Sequence, residues 1–206
     1  MKLLFVNASP HGAASNGYTL AREMIGASGK GARMQVIERD LVAEPLPPLT
    51  QDYARAVTSR APDASQFDIS EMLIREIETT DALIINTPMH NFTVPAALKL
   101  WIDYVLRIHR TFAATPEGKV GLMRDRPVFV IVGSGGFHSG KHARQLDFLT
   151  PYLRYALGTI GLKNPHFVLL QGLVHGDKAV SDAMQAAREQ LTQHALFASD
   201  DDTIAL

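Results

Sequence analysis

Five short, mostly apolar runs, each followed by a turn signal and then a helical pattern, constrain this chain more than any other feature. They are Lys2 to Val6, Arg33 to Glu38, Ala82 to Asn86, Pro127 to Val132 and His166 to Leu170. Short runs without polar alternation belong to strands covered on both faces, because a half-exposed strand would alternate. Strands alternating with helices predict a parallel sheet flanked by helices on both sides, an α/β doubly wound fold. Such sheets bind ligands beyond the carboxyl ends of their strands, near the reversal in strand order.

The intervening segments are expected to be mainly helical. A helix starts near Ser15, turns Leu20, Met24 and Ile25 inward, and is ended by Gly29 and Gly31. Pro45 to Pro48 form a loop, and a short surface helix follows within residues 50–60. Asp68 or Ser70 caps the next helix, with Leu73, Ile74 and Ile77 inside. Pro95 sits in the first turn of a helix whose broad apolar face holds Leu98, Trp101, Ile102, Val105 and Leu106. Trp101 is a core or dimer residue on this pattern. Arg107 to Arg110 is a helix-end charge cluster. Residues 111–125 form a mixed loop. Leu146, Leu149, Leu153 and Leu157 predict a long helix over 142–160, and a last amphipathic helix runs from Ala179 to Leu196. Residues 1–199 make one domain, with 200–206 a flexible acidic tail.

Several function classes lose support at once. The 206 residues suffice for one sizeable core. A net charge of -1 lacks the basic excess that phosphate-backbone binding needs, so no nucleic-acid partner is expected. The absence of cysteine removes disulfides, thiolate metal sites and cysteine nucleophiles. The histidines form no recognised ligand cluster, so no metal is expected. The apolar run at the start is too short for a secretion signal, and no segment has the apolar length to span a bilayer. A cytoplasmic protein without membrane attachment is the expectation.

Three strand ends carry the functional argument. Asn7 to Tyr18 is rich in small and hydroxyl residues between a buried strand and a helix start. Ser9, Ser15 and the backbone of Asn16 and Gly17 can hold an anion, helped by the positive end of the helix dipole. A turn with a simple helix cap at Ser15 explains the same residues. The loop lacks both the Gly-Lys-Ser/Thr ending of a Walker loop and the Gly-x-Gly-x-x-Gly dinucleotide pattern. Thr87 to Pro95 places Met89, His90, Asn91 and Phe92 between Pro88 and Pro95, a surface suited to a flat heteroaromatic ring or to ordinary core. Gly133, Ser134, Gly135 and Gly136 allow close approach of main chain to a ligand. His138 follows, either donating to a ring carbonyl or simply exposed.

The ordered combination of these motifs resembles the FMN-dependent, NAD(P)H-using azoreductase group within the flavodoxin-like quinone reductases. It rests on Ser9-Pro10 with Gly12, Ser15 and Leu20, on Arg39-Asp40-Leu41, and on Pro88 to Phe92. Leu98-Lys99 with Asp103, Gly135-Gly136 with His138, Thr150 to Leu153, and Gly158 with Gly161 complete the match, which covers roughly residues 1–195. The resemblance implies a five-stranded sheet in the order 2-1-3-4-5. Ser9, Ser15, Asn16 and Gly17 would surround the FMN phosphate, with Pro88, Met89, His90, Asn91 and Phe92 along the isoalloxazine. Gly133, Ser134, Gly135 and Gly136 would border the same ring, with His138 near its pyrimidine edge. It also implies a homodimer with two active sites at the subunit interface. Many relatives have serine in place of Gly17, tyrosine in place of His90 and arginine in place of Ser134.

The implied activity is two-electron reduction of a quinone or azo acceptor by NADH or NADPH in a ping-pong scheme. His138 and His90 are the candidate catalytic side chains, His90 as proton donor, substrate-shaping group or flavin neighbour. Phe112, Phe137 and Tyr152 line the acceptor cavity or a subunit contact, unless they are core. An electron-transfer flavodoxin, or a flavin-binding regulatory protein without productive nicotinamide turnover, is the alternative.

Overall fold

A computed structural model describes residues 1–28 and 34–198. Gly29, Gly31 and Arg33, expected at the first helix end and second strand start, lie outside the described residues, as does the acidic tail.

Five parallel strands form the sheet: β1 (Lys2–Asn7), β2 (Gln35–Asp40), β3 (Ala82–Pro88), and, after an antiparallel hairpin of β4 (Phe112–Thr115) and β5 (Gly118–Gly121), β6 (Val128–Gly133) and β7 (His166–Leu170). Their order is β2-β1-β3-β6-β7, so the direction of winding reverses between β1 and β3. This is the expected flavodoxin-like order. Among the described residues six α-helices accompany them: α1 (Asn16–Ala27), α2 (Gln51–Thr58), α3 (Asp68–Glu78), α4 (Ala96–Val105), α5 (Leu149–Ile160) and α6 (Asp177–Thr192).

Alternate residues of each central strand feed two different cores. Leu4, Val6, Leu83, Ile85, Val130 and Val132 pack on one face with Leu73, Leu98, Trp101 and Leu153 of α3, α4 and α5. Leu3, Phe5, Ile84, Phe129 and Ile131 pack on the other with Leu20 and Met24 of α1 and Met184 and Leu191 of α6. Burial on both faces is why these strands show no polar alternation. β2 lies at the sheet edge and carries the charges Glu38, Arg39 and Asp40, a common protection for an edge strand. Trp101 is wholly buried, which settles it as core.

Four expectations need correction. The segment 111–125 contains the β4–β5 hairpin, turned through Pro116 and Glu117. The long helix over 142–160 begins only at Leu149, and Leu146 is 70% exposed. A proline ring collides with the carbonyl four residues earlier in a helix interior, so Pro151 forbids helical continuity through Asp147. Asp147 instead takes the amides of Leu149 and Thr150, each at 2.9 Å. Neither Asp68 nor Ser70 caps α3: Asp68 already lies within it, and Ser70 is buried, donating to the Tyr104 carbonyl at 2.7 Å. The final helix spans Asp177–Thr192 rather than 179–196. Among the described residues no helix is long and apolar enough to cross a membrane.

Arg107 and Arg110 at the end of α4 have specific partners. Both bind Glu71 of α3, at 2.5 and 2.9 Å, and Arg110 also binds Glu78 at 2.6 Å. The run expected as a charge cluster is thus a clamp between two helices.

Candidate active site

The carboxyl ends of β1, β3 and β6 are neighbours, and the loops leaving them enclose a cleft of about 440 Å³. That size lies within the range of small-molecule clefts, and its position is the topological switch point of the sheet. A larger hollow of about 550 Å³ lies elsewhere, between the hairpin and the outer side of α5, and includes Lys119, Arg154 and Tyr155.

The first loop supplies Ser9, Ser15, Asn16 and Gly17 to the cleft, together with His11 and Ala14. Gly12 to Ala14 form a single 3₁₀ turn, after which Ser15 caps α1 by accepting the Tyr18 amide at 3.2 Å. The Thr19 amide goes to the Ser15 carbonyl at 3.0 Å. The opening amides of a helix have no intrahelical acceptors, so those of Asn16 and Gly17 remain for a ligand. Both residues border the cleft, where the helix dipole favours an anion.

The second loop contributes Pro88 and Met89, preceded by Asn86 and Thr87. Beyond Met89 the chain makes a tight turn closed by paired backbone bonds between His90 and Thr93, at 2.8 and 3.2 Å. Asn91 and Phe92 both have positive φ, 47° and 74°. His90, Asn91 and Phe92 are exposed and stand outside the cleft wall in this chain. Met89 is tied across the cleft: its amide donates to the Gly133 carbonyl at 2.7 Å, and its sulfur accepts from Gln145 Nε2 at 3.2 Å.

The third loop places Gly133, Ser134 and Gly135 on the wall, while Gly136 and His138 do not border the cleft. His138 is 5% exposed rather than solvent-facing. Ser134 Oγ donates to the Gly136 carbonyl at 2.9 Å and lies 3.1 Å from His138 Nδ1. With the serine proton already committed, Nδ1–H is the donor in that pair, which leaves Nε2 bare. Nε2 is buried without a partner among the described residues. Burial pushes the imidazole pKa down, against a weaker upward pull from Asp147, so the ring is held neutral and presents an acceptor. Donation from Nε2 would require the protonated ring. The loop backbone is anchored by Gln171, whose Oε1 accepts the amides of His138 and Ser139 at 2.8 and 2.9 Å.

Thr87, which opens the expected second loop, is on the wall; sequence reasoning passed over Asn86, Leu173 and Val174, which complete it. The last two follow β7, a fourth strand end that the sequence reading did not consider. Asn86 could have been found as the polar residue ending an otherwise apolar run. The aromatic candidates take separate places. Phe112 is buried in the hairpin, Phe137 stacks on His175 with centroids 5.6 Å apart, and the half-buried Tyr152 has its pKa pushed up to about 12 by burial and by Asp103.

The donor set fits FMN. Two free amides, a hydroxyl and a helix start suit a phosphate dianion, and the backbone-rich second and third loops suit a flat ring.

A family model described as a flavodoxin-like fold matches residues 1–195. FMN-dependent NADH:quinone oxidoreductase 4 of Pseudomonas fluorescens is 58% identical over 95% of this chain and 96% of its own. FMN-dependent NADH:quinone oxidoreductase 5 of Burkholderia lata is 54% identical over 95% of each chain. An azoreductase from Bacillus anthracis superposes with a TM-score of 0.81 at 26% identity, over 95% of this chain and 98% of the other. With a cleft of this chemistry at the switch point, the chain belongs to the flavodoxin-like family that includes the FMN-dependent NADH:quinone oxidoreductases.

Proposed function

We propose that this chain is an FMN-dependent NADH:quinone oxidoreductase, with azo compounds as a second acceptor class. The observation that carries the reading is the phosphate seat formed by the Ser15 hydroxyl and the uncommitted amides of Asn16 and Gly17. The relatives named above support the reductant and the acceptor. When bound, FMN would supply the two-electron redox chemistry that links nucleotide to acceptor in a ping-pong scheme.

The protein's share is binding and orientation. Ser9, Ser15, Asn16 and Gly17 hold the phosphate, and Pro88, Met89, Gly133, Ser134 and Gly135 flank the ring. His138, neutral and fixed by Ser134, braces the third loop from off the cleft wall. His90, Asn91 and Phe92 shape the open rim where an acceptor enters. No side chain is needed as a covalent nucleophile.

We also propose a homodimer. The support is the set of exposed apolar side chains on the hairpin and α5: Val120, Leu122, Phe148 and Tyr155, the last 72% exposed. Such a surface is costly in water and suits a second copy. Light scattering should give twice the chain mass; a monomer at micromolar concentration removes this part of the proposal.

Anaerobic stopped-flow mixing of the FMN-loaded protein with NADH tests the activity. Stoichiometric flavin bleaching, followed by reoxidation on adding a quinone, is expected. A bound flavin that neither NADH nor NADPH reduces would sink the enzyme reading and favour a flavodoxin-like carrier.

A further inference from the structure

Asp40, Asn7 and Asn86 end or approach the end of three adjacent strands, and the sheet register sets Asn7 opposite both of the others. Their side chains form one continuous hydrogen-bonded line. Asn7 Nδ2 donates to Asp40 Oδ2 at 2.8 Å. Asn86 Nδ2 donates to Asn7 Oδ1 at 2.8 Å and also to Ser15 Oγ at 3.0 Å. Asn7 and Asn86 are 0% and 2% exposed, so water does not offer them ready alternatives.

The direction of this line is set by Asp40 at its far end and, more weakly, by the Ser9 amide, which donates to Asn7 Oδ1 at 3.3 Å. A carboxylate accepts only, so Asn7 must turn its NH₂ toward Asp40 and its carbonyl toward Asn86. Asn86 must then turn its NH₂ toward Asn7 and Ser15. Ser15 Oγ receives two donors, Asn86 Nδ2 and the Tyr18 amide. Both lone pairs of the hydroxyl are thereby used, and its own proton is left to point into the cleft. Burial raises the Asp40 carboxyl pKa, but bonds from the Ala43 amide, Asn7 and the Val42 amide outweigh it and hold the group below the usual range.

We propose that Asp40, Asn7 and Asn86 are positioning residues, a polar rail that aims the Ser15 proton at the cofactor phosphate. The inference rests on assigning the cleft to FMN and deepens it. Asp40 does not border the cleft, so its influence on the phosphate passes through the two asparagines. Without the rail, Ser15 would be free to use its proton elsewhere and would meet an anion with its lone pairs.

The test compares FMN with riboflavin, which lacks the phosphate. Both are titrated into cofactor-free protein and followed by flavin fluorescence. Asp40→Asn preserves shape, yet an asparagine whose Oδ1 keeps the Val42 and Ala43 amides turns an NH₂ toward Asn7. The rail then reverses, giving up the long Ser9 amide bond to Asn7 Oδ1 at 3.3 Å; Asn86 presents its carbonyl, and Ser15 donates to that carbonyl instead of into the cleft. Wild type is expected to prefer FMN strongly. Asp40→Asn should lower that preference by about tenfold or more, the scale of a lost charge-assisted hydrogen bond, with riboflavin affinity little changed. Asn86→Leu should do the same by removing the donor. Adding Ser15→Ala should cost FMN affinity in wild type and little in Asp40→Asn.

A folded Asp40→Asn protein with the wild-type preference overturns the rail and leaves the phosphate assignment standing. If Asp40→Asn does not fold, an unchanged preference in Asn86→Leu overturns it equally. Wild-type protein that binds FMN and riboflavin alike overturns the phosphate assignment itself, and the rail with it.

Discussion

At the scale of single residues, Gly17 and Asn86 have to be understood together. A Cβ added at Gly17 would lie 2.0 Å from Asn86 Oδ1 and 3.2 Å from Ile131 Cγ2. The side chain of Asn86 therefore occupies the space that a serine at position 17 would need. Gly17→Ser should not add a phosphate ligand; it should push Asn86 off its bonds to Asn7 and Ser15. Overpacking of this kind costs about 1–3 kcal/mol, and FMN affinity should fall as well. Urea unfolding and flavin titration of the variant check both effects. A variant that is equally stable and binds FMN more tightly would show that Asn86 moves aside freely. The anion seat was legible in the sequence because Ser15 follows a buried strand and opens a helix. The rail was not, because its members lie far apart in sequence, and only the sheet register brings them level.

At the scale of elements, the β4–β5 hairpin and the end of α5 form one joint. Gly161 closes α5 at φ 109°, and the Met123 amide donates to the Ile160 carbonyl at 3.0 Å. A Cβ at Gly161 would come within 2.5 Å of the Met123 carbonyl oxygen, in a backbone region that L-residues avoid. At Gly158, one turn earlier, a Cβ meets nothing within 4 Å. Two substitutions three residues apart should thus have opposite signs. Gly161→Ala should destabilise by roughly 2–4 kcal/mol, from left-handed strain plus the clash. Gly158→Ala should stabilise by up to about 1 kcal/mol through helix propensity. Chemical denaturation of both gives the answer, and equal effects would contradict the geometry. The sequence marked both glycines without separating them. Similarly, the leucine spacing from Leu146 to Leu157 was visible and misleading. Side-chain periodicity says nothing of the backbone, where Pro151 and Asp147 set the helix start. The hairpin was missed because strands of four residues carry too little pattern.

At the scale of the whole molecule, acid should loosen the fold in two stages. His138 and His194 are both held below the ordinary histidine range by burial; the neighbouring His166 lowers His194 further, while Asp147 opposes the shift at His138. His194 Nδ1 also accepts the Leu196 amide at 3.1 Å, which only the unprotonated nitrogen can do. The unfolded chain therefore binds protons that the folded one refuses as pH falls below about 6.5. Stability from these rings is complete above that pH and is lost as the pH falls toward their folded values. Glu71 acts lower down. Hydrogen bonds from Arg110, opposed by burial and reinforced by Arg107, hold its carboxyl at about 2 against an ordinary 4.5. Its contribution is complete above 4.5 and drains away between there and about 2. The midpoint of urea unfolding, followed from pH 8 to pH 3 on the FMN-loaded protein, should fall first gently and then more steeply. His194→Asn should flatten the upper stage. Glu71→Gln should remove much of the lower one and cost about 2–3 kcal/mol at neutral pH, because Arg107 and Arg110 lose their shared anion. A midpoint constant from pH 7 to pH 5 in wild type would mean that neither buried ring is kept neutral by the fold. An unchanged neutral-pH midpoint in Glu71→Gln would mean that the α3–α4 clamp holds without its charge.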